Sequence, residues 1–335
     1  MKEGIYNELA NNDEFYKREE FLNKVFLSLK RELKIEIGNS WLDDDAKEEA
    51  ENVVDELKLS FTRIDFPVWK NDIETSPYNF KITLVAFKNF LNFKKAKAEY
   101  RMLISFQYAL MSLYDLVSAL NASTNNRKKR NIEIEASFNR LTKSIEITPG
   151  LLLPPFFHPE APMAYNFGRL AFIIGHEISH TFDFENMKLH TGSLFSINNE
   201  INSIYSAKKY CLERQFNNLN IDGVTTLDEN VADTQGLKLA FRAMRRLFHE
   251  NPDERNKVLP QFQEFDANQL FFLSFANQYC ENRNEEFLDS IHAPYDIRTI
   301  GTIMNSHEFA EAFQCEKGQF MNPKEKCDLW TNPNL

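Results

Sequence analysis

The sequence predicts a mainly α-helical protein with one small β-sheet, and three stretches carry that prediction. Met1 to Lys30 alternates charged and apolar residues at helical spacing. Gly168 to Ile174 is an apolar run leading into Gly175-His176-Glu177-Ile178-Ser179-His180, which suits a buried helix. Between them, Ile132, Ile134, Ala136 and Phe138 alternate with polar residues, and Ile145 and Ile147 alternate again after a turn-like Asn139 to Ser144. A period of two on both sides of a turn reads as a short hairpin.

The elements follow in order. No apolar stretch of the signal-peptide type is visible in Met1 to Lys30. Glu32 to Trp69 reads as helical, with Ser40 as an N-cap followed by Asp43, Asp44 and Asp45 in the first turn. Residues 70 to 130 read as further helices closing on a polar linker, Asn121 to Arg130, which holds the sequon Asn121-Ala122-Ser123. The longest apolar run, Met102 to Leu120, contains Gln107 and Asp115, so it is read as a buried helix and not as a membrane span. The hairpin then opens a second region, giving a division into residues 1–130, helical, and 131–335, which carries the candidate chemistry. There is no internal repeat and no low-complexity tract.

Composition bounds the class. With 335 residues, 43% hydrophobic and 30 of them Phe, the chain can bury a large core. A net charge of −10 leaves no basic surplus to neutralise phosphates, so a nucleic-acid partner is excluded. The single basic run, Arg127-Lys128-Lys129-Arg130, is a solvated-loop pattern.

Histidines at i and i+4 share one helical face, so His176 and His180 can hold one metal while Glu177 leans over the same site. A catalytic zinc takes three protein ligands and keeps one position open. Glu229, in Asp228-Glu229-Asn230-Val231-Ala232-Asp233 ahead of the helix-like run Gly236 to Phe248, is the natural third. Asp233, one turn on, can accept a hydrogen bond from a ligating imidazole and fix its tautomer. His292 and Arg298, six apart, can stabilise an oxyanion and clamp a carbonyl. Each pattern alone also fits a solvated helix face or a surface loop.

Taken in order, these motifs resemble the neprilysin and endothelin-converting-enzyme family of zinc peptidases, of the gluzincin group. The resemblance runs through Leu152-Leu153-Pro154-Pro155-Phe156-Phe157, Gly175 to Asp183, Glu229 to Asp233, Gln269 to Ala276, His292 to Asn305 and Cys315 to Trp330. It implies a thermolysin-like zincin catalytic domain plus part of a helical domain, and one zinc held by His176, His180 and Glu229. It implies Glu177 as general base, Asp183 and Asp233 as carboxylates behind the ligands, and His292 and Arg298 as groups holding intermediate and substrate. Glu135 and Ala136 match an edge that binds the substrate backbone; Leu151, Phe156, Ile173 and Tyr279 match the pocket for the side chain after the scissile bond. The implied reaction is hydrolysis of peptides on the amino side of large hydrophobic residues, at the cell surface or outside the cell.

Several positions depart from the family. Glu135 replaces an Asn, and an ionised carboxylate cannot donate a hydrogen bond. Arg169 and Ala171 stand where glycines are usual, and Thr181 and Phe184 replace a Gly and an Asp. The first 130 residues resemble only the last part of the family's N-terminal region, so the chain reads as a fragment or as the product of a gene that lost its N-terminal half. A catalytically impaired peptide-binding homologue that keeps zinc is the alternative. The resemblance also implies a Cys211–Cys327 disulfide, with Cys280 and Cys315 matching positions whose partners lie in the missing region.

Overall fold

The computed structural model describes residues 12–61, 134–140, 142–183, 199–260, 262–280 and 291–331. Met1–Thr62 and Ile132–Leu335 form one compact unit and Arg63–Asn131 a second; every described residue belongs to the first. The N-terminal helices therefore pack with the segment that carries the candidate site. Met102 to Leu120, the 121–130 linker and its sequon lie outside the described residues.

Helix α1 (Asn12–Gly38) buries Leu22, Val25, Phe26, Leu29, Leu33 and Ile37, one stripe at three- and four-residue spacing. It stops at Ser40, whose hydroxyl donates to Ile37 O (2.7 Å) and accepts from Leu42 N (3.3 Å). Ser40 thus closes α1 and does not open the next helix. The N-cap of α2 (Asp44–Glu56) is Asp43, whose carboxylate accepts from Ala46 N at 2.8 Å, the stronger arrangement for a donor at a positive helix end. Ala46, Ala50 and Val54 form its buried face.

The helical reading of 32–69 also needs correction at β1 (Lys58–Phe61). Leu57 leaves helical geometry, and Leu57-Lys58-Leu59-Ser60-Phe61 alternates over too few residues to outweigh the helix before it. The hairpin forms as expected: β2 (Ala136–Asn139) pairs antiparallel with β3 (Ser144–Ile147), and β1 adds parallel to β3, giving the order β1-β3-β2.

The rest is helical. α3 (Met163–Asn166) runs through a π turn at Phe167–Ala171 into α4 (Phe172–Ser179) and a 3-10 turn at His180–Phe182. α5 (Asn199–Asn218) precedes the long α6 (Leu227–Glu250), and α7 (Pro252–Arg255) follows. α8 (Ala267–Gln278) opens with an Asp266/Gln269 capping box, then come α9 (Tyr295–Ile303) and α10 (His307–Ala312). α6 is the hub, packed on α4, α1 and α9. Ion pairs fasten it to α1: Arg246 to Glu32, and Arg242 and Lys238 to the buried Glu36, with Lys238 also on Asp328. Cys211 and Cys327 are disulfide-bonded with Cα atoms 5.6 Å apart, as the family pattern implied, while Cys280 and Cys315 are free thiols. No described helix is long and apolar enough to cross a membrane.

Candidate metal centre

The site is made where α4 crosses α6, and two glycines let the helices touch. A Cβ on Gly236 would lie 2.5 Å from His176 N, and one on Gly175 would lie 2.9 Å from Gly236 O. Backbone contact at that crossing sets His176 and His180 opposite the first turns of α6. That start is fixed by Thr226, which donates to Asp222 O (2.9 Å) and accepts from Asn230 Nδ2 (2.8 Å).

His176, His180 and Glu229 each offer one ligand atom, all within 4.8 Å of one another. The Nε2 atoms of the two histidines are 3.1 Å apart; Glu229 Oε2 is 3.2 Å from His176 Nε2, and its Oε1 is 3.7 Å from His180 Nε2. Four ligands at ~2.05 Å around a tetrahedral zinc lie about 3.3 Å from each other, so this spacing fits zinc. The proton positions argue the same way. His176 Nδ1 faces Asp233 Oδ1 at 2.8 Å, and His180 Nδ1 faces Asp183 Oδ2 at 3.0 Å. Carboxylates only accept, so each Nδ1 carries a hydrogen and each Nε2 is the ring atom turned toward the centre. Two such nitrogens and a carboxylate oxygen converge on one point. Glu229 Oε2 is moreover set between His176 Nε2 and His292 Nε2. A cation at the centre satisfies all three.

The electrostatics agree. Burial opposes charge on His176, yet Asp233 and Glu229 outweigh it and hold its pKa up at about 10, so the carboxylates draw a proton to the centre where a metal cation would take its place. Burial would raise the Glu229 pKa, but His176 and His292 hold it well below the usual carboxylate range. Asp233, also buried, is drawn down to about 2, chiefly by Arg298. Arg298 makes a two-pronged contact with it, Nε to Oδ2 and Nη2 to Oδ1, both 2.7 Å, and this partner raises the guanidinium above its ordinary pKa despite burial.

The remaining sequence-predicted residues fall around this core. Glu177, 9% exposed, sits on α4 between the two histidines in sequence. His292 approaches from the turn before α9, its Nε2 2.9 Å from Glu229 Oε2. Tyr279 lies under the Arg298 guanidinium at 5.0 Å, a supporting role that the sequence reading did not anticipate. Leu151 is buried, and Phe156, Ile173 and Tyr279 are half-buried, all on the common core. β2 packs on α4 and is the edge of the sheet among the described residues. Glu135 spends its backbone on Thr148, N–H to Oγ1 (2.9 Å) and C=O from Thr148 N (3.0 Å). Antiparallel pairing alternates, so the backbone groups of Ala136 face the open edge. The glycine pair was missed by sequence reasoning, although Gly175 directly before the first ligand and Gly236 three residues after Asp233 were its visible signal.

Two histidines from one helix and a glutamate from a second, backed by carboxylates, define the site of a gluzincin-type metallopeptidase. The comparisons narrow this. Residues 136–329 match the sequence model of peptidase family M13, and the chain belongs to that family. Human neprilysin is 34% identical over 212 residues, covering 59% of this chain and 28% of its own length. Rat endothelin-converting enzyme 1 is 34% identical over 210 residues, 59% of this chain and 27% of its own. Neprilysin-2 of Caenorhabditis elegans is 30% identical over 316 residues, 88% of this chain and 40% of its own. The chain therefore spans well under half the length of these relatives. Among solved structures, Mycobacterium tuberculosis zinc metalloprotease Zmp1 has a TM-score of 0.69 at 18% identity, over 94% of this chain and 47% of its own. The Haemonchus galactose-containing glycoprotein complex has a TM-score of 0.69 at 21% identity, over 97% and 51%. Both similarities concern the fold.

Proposed function

We propose that this chain is a zinc-dependent endopeptidase that hydrolyses peptides on the amino side of large hydrophobic residues. The observation that carries the reading is the convergence of His176, His180 and Glu229 ligand atoms at zinc spacing beside Glu177. When bound there, the metal supplies a Lewis acid and makes water more acidic.

The chain's own groups do the rest. Asp233 and Asp183 hold the two imidazoles with Nε2 toward the centre. The backbone of Ala136 offers strand-like hydrogen bonds to an extended peptide along β2. Glu177 accepts the proton of the attacking water at its carboxylate and passes it to the leaving amine. His292 stands where negative charge develops on the carbonyl oxygen, and Arg298, fixed by Asp233 and Tyr279, holds the substrate carbonyl. Leu151, Phe156, Ile173 and Tyr279 supply apolar walls for the side chain after the scissile bond. The Cys211–Cys327 bond supports an oxidising, extracellular or cell-surface location.

The test is metal analysis and peptide turnover on three variants. His176→Ala and Glu229→Ala are expected to lose zinc, and Glu177→Gln to keep zinc and lose turnover. Full zinc in Glu229→Ala would sink the ligand assignment. Zinc binding without turnover in the unaltered chain would favour the impaired peptide-binding homologue.

A further inference from the structure

We propose that Arg169 reads the side chain on the carboxyl side of the scissile bond and favours glutamate there over glutamine. This rests on the peptidase reading and adds to it a specificity group that a glycine could not provide.

Arg169 lies in the π turn ahead of α4 and is 4% exposed. Its guanidinium carbon stacks over the Tyr165 ring at 4.8 Å, and one Nη donates to Asn277 Oδ1. Its Nε is buried and has no hydrogen-bond partner. Among the described residues no carboxylate pairs with it, whereas the buried Arg298 is gripped at two points by Asp233. Burial accordingly lowers its pKa, with only Tyr165 acting in the other direction. An enclosed cation with no counter-ion among the described residues is costly to the fold, and an anionic ligand would complete it.

The surroundings say which ligand. Arg169 precedes Ile173 by about one helical turn. Tyr165, on which it stacks, donates to Pro155 O at 2.7 Å, next to Phe156. Asn277, which it bonds, is two residues from Tyr279. Ile173 thus follows Arg169 on the same side of the helix, and the Tyr165 hydroxyl ties the stacked guanidinium to the backbone beside Phe156. Asn277 is exposed and Tyr165 half-buried, so the group lies just beneath the surface of that corner. Apolar walls with a cation at one end suit a side chain with a hydrocarbon stem and a terminal carboxylate. Glutamate has both, and glutamine has the same shape without the charge.

The experiment uses the zinc-loaded full chain and C-terminally amidated peptides that differ only in Glu, Gln or Leu after the scissile bond. Amidation ensures that no terminal carboxylate takes the place of the side chain. The expected kcat/KM for Glu exceeds that for Gln by on the order of tenfold. Arg169→Met is expected to bring the Glu/Gln ratio to about one. Should that variant fold poorly, Asn277→Asp places a carboxylate beside the intact guanidinium at an exposed position and is expected to do the same. Fluorescence anisotropy of the three peptides on Glu177→Gln is expected to give the same order without turnover. Equal handling of Glu and Gln, or a ratio unmoved by Asn277→Asp, overturns the role of Arg169 and leaves the peptidase reading standing. Failure to cleave or bind any of the three overturns that reading, and this proposal with it.

Discussion

Replacing Gly236 by alanine separates the stability of the fold from the geometry of the metal site. The new Cβ would stand 2.5 Å from His176 N and 2.8 Å from its Cα, against an ordinary contact of at least 3.4 Å. These atoms are backbone and cannot rotate away, so α4 and α6 must part by about 0.9 Å, the difference between the two distances. Overpacking of this kind costs about 1–3 kcal/mol. Alanine in place of a mid-helix glycine returns about 1 kcal/mol of propensity, which leaves a net loss of roughly 0–2 kcal/mol. At an unfolding entropy of about 0.7 kcal/mol/K for a chain this size, that is at most about 3 °C in Tm. The metal site has no such compensation. Carried rigidly, the shift moves Glu229 Oε2 from 3.2 Å to about 4.1 Å from His176 Nε2, well outside the ~0.2 Å tolerance of a metal–ligand distance. Zinc affinity is therefore expected to fall by about ten- to a hundredfold, as when groups orienting a ligand are removed. Competition against a chromophoric chelator measures it, with calorimetric Tm alongside. Gly38→Ala is the control, since its Cβ would meet nothing nearer than 3.8 Å. Wild-type zinc affinity in Gly236→Ala would refute the view that backbone contact between these helices sets the ligand positions.

Other outcomes follow from the same structure. Glu135→Asn is expected to raise kcat/KM through KM, because it supplies an amide donor at an exposed position beside the β2 edge; steady-state kinetics decide it, and an unchanged value shows that anchoring lies elsewhere. Replacing both Cys211 and Cys327 by alanine opens a link across 116 residues and is expected to lower stability by at most about 5 kcal/mol, read by denaturant titration. Chelation is expected to lower Tm: zinc held at a hundred times its Kd adds about 2.7 kcal/mol, and a Tm indifferent to chelator would contradict binding to the folded state.

What was legible in the sequence was local. His176 and His180 announce a shared face because four residues make one turn, and the β2–β3 hairpin shows itself through alternation on both sides of a turn. Asp233 was readable as an imidazole partner only because Glu229, one turn earlier, was already assigned as a ligand. The failures were competitions between neighbours. Ser40 and Asp43 both suit an N-cap, and the choice was made by how α1 ends. β1 hid behind a helix because four residues carry too little periodicity. Arg169 lies in a run read as a buried helix, but which groups its guanidinium would meet there was not legible, because Tyr165 and Asn277 come together with it only in the fold. The α1–α6 ion pairs span more than 200 residues of sequence, and no local pattern encodes them.

Those long-range fastenings bear on the order in which the molecule can be made. Arg18 Nη1 donates to Leu152 O (2.5 Å), Glu32 and Glu36 meet Arg246 and Arg242, and Trp41 Nε1 donates to Leu329 O at 2.8 Å. During synthesis α1 therefore waits for Arg242 and Arg246, which emerge from the ribosome far later, and Trp41 just beyond it waits for Leu329. Until then α1 has α2 beside it but not α6, and α6, which carries Glu229 and Asp233, lacks one of its supports. The metal centre is thus completed only after α6 has emerged and α1 can dock on it.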